Sequence, residues 1–88
     1  MITTVMASVA VWTDERGVPE GLVWEQTRFR STDTPTLLES DYEFVAMHPP
    51  AVHPGWRLQG TDDQGQSKIF DVRYIASRCE WVLVRVYD

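Results

Sequence analysis

Between Ile69 and Asp88 the chain alternates: Phe70, Val72 and Tyr74 fall on one side of an extended segment, and Val82, Val84 and Val86 fall on one side of the next. A period of two in β-branched and aromatic residues marks strands that bury one face. Two such runs in succession predict a β-hairpin. The connection Ile75-Ala76-Ser77-Arg78-Cys79-Glu80 lacks Gly, Asn and Pro, so a loop longer than a two-residue turn is expected. A regular register sets Phe70 opposite Val86, Val72 opposite Val84 and Tyr74 opposite Val82, with Asp71 facing Arg85 on the other side.

The same period runs through the rest of the chain. Val5, Ala7, Val9 and Val11 share one face of the first segment and Met6, Ser8, Ala10 and Trp12 the other, so both faces are largely apolar. Asp14-Glu15-Arg16-Gly17 reads as a turn in which Gly17 takes positive φ, and Pro19 excludes a central-strand position. Leu22, Trp24 and Phe29 carry the pattern onward, and Trp56, Leu58 and Gly60 begin a strand that Asp62-Asp63-Gln64-Gly65 turns back. The segment from Asp33 to Met47 allows two readings. Thr36 and Glu39 have the spacing of a capping box for a short helix. As a strand, Leu38, Ser40, Tyr42 and Phe44 separate more cleanly from Glu39, Asp41 and Glu43, and that reading is preferred. A Pro-rich loop follows over residues 48–55.

Several short strands in 88 residues predict one all-β domain over residues 1–88, a small antiparallel sheet curled into an SH3-like, partly open barrel. The alternatives are an oligonucleotide-fold-like barrel, or a meander with one short helix around residues 36–47. Curling the sheet removes exposed strand edges.

A net charge of −5 with seven scattered Arg and the single Lys68 opposes a phosphate backbone, so strong nucleic-acid binding is not expected. No apolar run reaches the roughly 20 residues needed to span a bilayer. The apolar start from Val5 to Trp12 alternates as a strand does and has no basic residue before it, unlike a signal peptide. One Cys and no Asn leave neither an internal disulfide nor a glycosylation sequon, and point to the cytoplasm.

Chemistry is sparse. His48 and His53 lack the paired spacing of a zinc site, Asp62 and Asp63 lack the rest of a calcium loop, and nothing local prepares Cys79 as a thiolate. No catalytic residue, metal or cofactor is assigned, and the chain is not expected to be an enzyme. Its aromatic residues are the remaining signal. Most of the four Trp and three Tyr are expected in the core of so small a domain. Trp12 and Trp81 are the exceptions, because each lies on the strand face opposite its neighbouring valines. They are the candidate contacts for a protein partner or a homodimer.

Phe70-Asp71-Val72-Arg73-Tyr74 and Trp81-Val82-Leu83-Val84-Arg85-Val86-Tyr87-Asp88 resemble the ending of a family of short actinobacterial proteins of unknown function. The likeness extends to Val9-Ala10-Val11, Gly17-Val18-Pro19, Leu22-Val23-Trp24, Arg28-Phe29-Arg30 and Trp56-Arg57-Leu58. Members are sometimes encoded near translesion DNA polymerases, so the resemblance implies an accessory role in damage tolerance, and no catalytic residues. The expectation from the residues themselves is a non-catalytic protein-interaction module. A nucleic-acid accessory domain is the alternative, and a small enzyme or metal protein the third reading.

Overall fold

The computed structural model describes residues 1–38 and 55–88. Among these residues seven strands follow one another, β1 (Ile2–Thr13), β2 (Pro19–Trp24), β3 (Thr27–Ser31), β4 (Thr36–Leu37), β5 (Gly55–Thr61), β6 (Ser67–Ile75) and β7 (Glu80–Tyr87), with one 3-10 turn at Ala76–Arg78. All pair antiparallel in the order β3-β2-β1-β7-β6-β5-β4, and β3 also pairs with β5. The sheet therefore closes into a six-stranded barrel, with β4 outside it on β5. The expected small curled all-β domain is what forms. The β3–β5 ladder that closes it has two residue pairs, Arg30 with Thr61 and Ser31 with Gly60, and the Thr32 amide just beyond β3 adds a bond to the Gln59 carbonyl at 3.0 Å.

The turns explain the strand boundaries. Asp14 Oδ1 accepts bonds from the amides of Arg16 and Val18 at 2.8 and 3.0 Å, and Gly17 takes φ +83°. Asp62 Oδ1 does the same for Gln64 and Gln66, both at 2.9 Å, with Gly65 at φ +82°. One Asp-x-x-Gly-x device thus closes two separate hairpins. The β2–β3 hairpin is different: Trp24 pairs with Thr27 across Glu25 and Gln26, which sit at φ +50° and +64°. That is the conformation of a primed two-residue turn, held here without the usual Asn or Gly. Pro19 opens β2 at a register shift opposite Thr13, where a missing N–H does no damage.

The terminal hairpin departs from the regular register. Phe70 faces Val86 and Asp71 faces Arg85 as expected, but a bulge then sets Val72 opposite Leu83 and Tyr74 opposite Trp81. The expected pairs Val72 with Val84 and Tyr74 with Val82 do not form. Val84 is the extra residue, and β1 is irregular beside it between Thr4 and Ala7, where Met6 adopts φ +54°. A bulge reverses which alternate residues face inward. Leu83 accordingly joins Leu22, Phe29, Leu58, Phe70, Val72 and Val86 inside the barrel, while Val82 and Val84 form a second buried cluster with Ile75 and Met6. The Phe29 and Phe70 rings of the first cluster lie 4.9 Å apart, tilted at 58°.

The start of the ambiguous segment is strand at Thr36–Leu37, and Gly55 opens β5. The remainder of that segment, with Tyr42 and Phe44, the Pro-rich loop, and His48 and His53, lies outside the described residues.

Candidate functional site

Trp56 is the first inward-facing residue of β5, Tyr74 the last of β6, and Trp81 the first of β7. Antiparallel pairing brings these strand ends to the same end of the barrel: Trp56 faces Val72, and Tyr74 faces Trp81. Both tryptophans rest on the core cluster beneath them, and the Tyr74 and Trp81 rings lie 5.2 Å apart at 53°. The Asp14 turn adds Arg16 and Gly17. Together with Thr13 these residues line an open cleft of about 470 Å³. Leu37, opposite Trp56 on β4 and 63% exposed, carries apolar surface beyond the ring of Trp56.

Electrostatics here are simple. Arg16 is exposed and lies 3.9 Å from the Asp14 carboxylate, whose own value is lowered chiefly by the amide of Val18. The neighbouring Cys79 side chain holds the Tyr74 phenol above its ordinary value. Among the described residues the cleft contains no carboxylate. Its described residues present aromatic faces and one cation, which suits stacking against a flat, apolar or weakly anionic ligand.

Of the two contact candidates read from sequence, the structure brings Trp81 into this cleft and keeps Trp12 out of it. The valine argument for Trp81 fails, because the bulge turns Val82 and Val84 away from the barrel interior and Trp81 toward it. Trp12 lies on the outer face with the guanidinium of Arg28 4.9 Å from its ring centroid. It folds across Gly21, where any Cβ would collide with the indole. Sequence reasoning missed Trp56 and Tyr74 as site residues. Their signal was position: an aromatic at the inward residue nearest a strand end, on strands that meet at one end of the barrel.

A polar cluster occupies the outer face of β5, β6 and β7. Asp71 is fully buried. It accepts from Arg57 Nε at 2.8 Å and Nη2 at 3.0 Å, and from the Tyr87 hydroxyl at 2.8 Å, with Arg85 at 3.7 Å. Arg57 also donates to the Tyr87 hydroxyl at 2.7 Å and stacks over its ring. The bond to Asp71 raises the guanidinium pKa further, and burial raises that of Tyr87. These groups satisfy one another, so the cluster clamps three strands together.

Cys79 is exposed in the β6–β7 loop at φ +51°. Among the described residues no three His, Cys, Asp or Glu side chains converge to hold a metal ion, and no helix is long and apolar enough to cross a membrane. In comparisons with protein-family models, characterised proteins and solved structures, no match to this chain was found.

Proposed function

We propose that the protein is a non-catalytic interaction module whose barrel mouth takes an extended, proline-containing segment of a partner protein. The observation that carries this reading is the convergence of Trp56, Tyr74 and Trp81 on one open cleft. Polyproline segments lose little entropy on binding and lay flat ring faces on aromatic grooves. Arg16 at the rim favours an acidic residue beside the prolines. The non-catalytic part is supported by Asp71, whose carboxylate is occupied by Arg57 and Tyr87 and closed to solvent. A single unpaired Cys and the absence of Asn favour the cytoplasm. The resemblance of the terminal hairpin to proteins encoded near translesion polymerases makes such a complex the first place to seek the partner.

Tryptophan fluorescence titration tests the reading. A proline-rich peptide with a flanking acid is expected to bind in the micromolar range typical of small modules, about −8 kcal/mol. Binding should fall at least about tenfold, or 1.4 kcal/mol, in Trp81→Ala and stay unchanged in Trp12→Ala. Equal loss in both variants rejects the cleft. Micromolar binding of a single-stranded oligonucleotide that weakens steeply with salt instead of peptide binding would put the nucleic-acid reading first.

A further inference from the structure

At the end of the barrel opposite the mouth, the start of β1 presents a strand edge that no described strand covers. Among the described residues, β1 pairs with β2 only from Ala10 onward, so Ile2 to Val9 have β7 as their sole neighbour. The ladder fixes which backbone groups point outward. Met1 and Asp88 exchange both bonds, amine to carbonyl at 3.2 Å and amide to carbonyl at 2.9 Å. Antiparallel pairs alternate between bonded and non-bonded. Thr3 is therefore bonded to Val86, while Ile2 and Thr4, opposite Tyr87 and Arg85, turn their N–H and C=O groups away from β7. Ile2, Thr3 and Thr4 are all exposed.

Open edges in natural proteins are guarded by charge or proline. This one is not: Ile2–Thr13 contains neither. A side-chain row reinforces it, because Ile69, Tyr87 and Ile2 lie opposite one another across three strands, with Ile69 39% and Ile2 63% exposed. The charges beside the edge nearly balance: Lys68 pairs with Asp88 at 3.3 Å, and Asp71 sits between Arg57 and Arg85. The acidity of the chain thus lies elsewhere, and two copies meeting here do not repel.

We infer that this edge is where a second copy of the chain adds, β1 against β1, about a twofold axis through Thr3. Ile2 then exchanges both backbone bonds with Thr4 of the partner subunit, and Thr4 with Ile2 of the partner subunit, joining two barrels into one continuous sheet. The irregularity at Val5 and Met6 stops the pairing there, so the contact is short and the dimer weak. Because the contact is twofold, each copy uses the same edge and the assembly closes at two. The mouth stays free, so this inference is independent of peptide binding.

Sedimentation equilibrium of the whole chain from about 10 μM to about 1 mM tests it. A reversible monomer–dimer equilibrium is expected, with concentration-dependent NMR shifts at the amides of Ile2 and Thr4. Ile2→Lys, at an exposed position, should weaken association by about tenfold or more, whereas Val23→Lys, an exposed apolar residue on β2, should not. A chain that stays monomeric at the highest concentration, or a dimer indifferent to Ile2→Lys, overturns the inference. Peptide affinity at the mouth should be the same in Ile2→Lys and the natural sequence, which separates the two proposals.

Discussion

Arg57 reaches across from β5 to grip the Asp71 carboxylate on β6 with two parallel bonds, yet the two residues differ sharply in environment: the Asp71 side chain is 1% exposed and that of Arg57 47%. Truncating either one breaks the same pair. The consequences differ, because one orphan reaches water and the other does not.

Arg57→Ala is expected to destabilise more than Asp71→Ala. The first leaves a buried carboxylate with only Tyr87 and the more distant Arg85, at a cost on the order of 2 to 4 kcal/mol; the second frees a half-exposed guanidinium, at about 1 to 2 kcal/mol. Urea midpoints of the two variants check the order. The reverse order would place Asp71 in contact with solvent.

Tyr87 gives the molecule an alkaline limit. Burial and the bond to Asp71 raise its folded value, outweighing Arg57 and Arg85, which lower it. The folded state then holds this proton more tightly than the unfolded chain does. Its contribution is complete below the unfolded tyrosine value of about 10 and is lost as pH rises through the higher folded value. Tyr74 adds to the same trend. Thermal melts between neutral pH and about pH 11 should show stability falling above the unfolded value, with a shallower fall in Tyr87→Phe. Identical slopes would remove Tyr87 from the account.

Leu83→Ala and Val84→Ala read the bulge. With Leu83 inside the barrel, its truncation should cost about 2 to 5 kcal/mol, and that of Val84, buried in the outer cluster, about 1 to 3 kcal/mol. Arg85→Ala should cost less than either. A regular strand would leave Leu83 on the outer face and make its loss nearly silent.

The strands were legible because Phe70, Val72, Val84 and Val86 alternate with residues of another kind. The bulge was not, because Val82-Leu83-Val84 is apolar at every position and so carries no information about which face is which. Asp71 opposite Arg85 was readable as a cross-strand pair, but its burial depends on Arg57 and Tyr87 arriving from two other strands. The mouth was hidden for a related reason: Trp56 lies far in sequence from Tyr74 and Trp81, and only the register joins them. Trp12 reads as a candidate for an exposed patch or a dimer contact, and nothing in its own strand reveals that Gly21 leaves space for its ring.

Replacing Glu25-Gln26 by Asn-Gly should stabilise the β2–β3 hairpin. Both residues hold positive φ, which Asn and Gly adopt without the cost that Glu and Gln carry. Relief of that backbone strain should gain about 1 kcal/mol. Loss of stability on this change would show that the two side chains make contacts worth more than the backbone relief.

The two-pair ladder between β3 and β5 has a mechanical meaning. The seam sits at Gly60 and Thr61, at the far end of β5 from Trp56. Around the mouth, by contrast, β5, β6 and β7 are stitched along their lengths, from Gly55 opposite Arg73 to Ile75 opposite Glu80. Thermal breathing should therefore favour the seam, and hydrogen exchange should be faster at its ladder-bonded amides than along the β5–β6–β7 ladders. The aromatic walls keep their spacing while the far end yields. If the cleft takes the proposed segment, Trp56, Tyr74 and Trp81 would offer it a shape already set, and little binding energy would go to ordering the receptor.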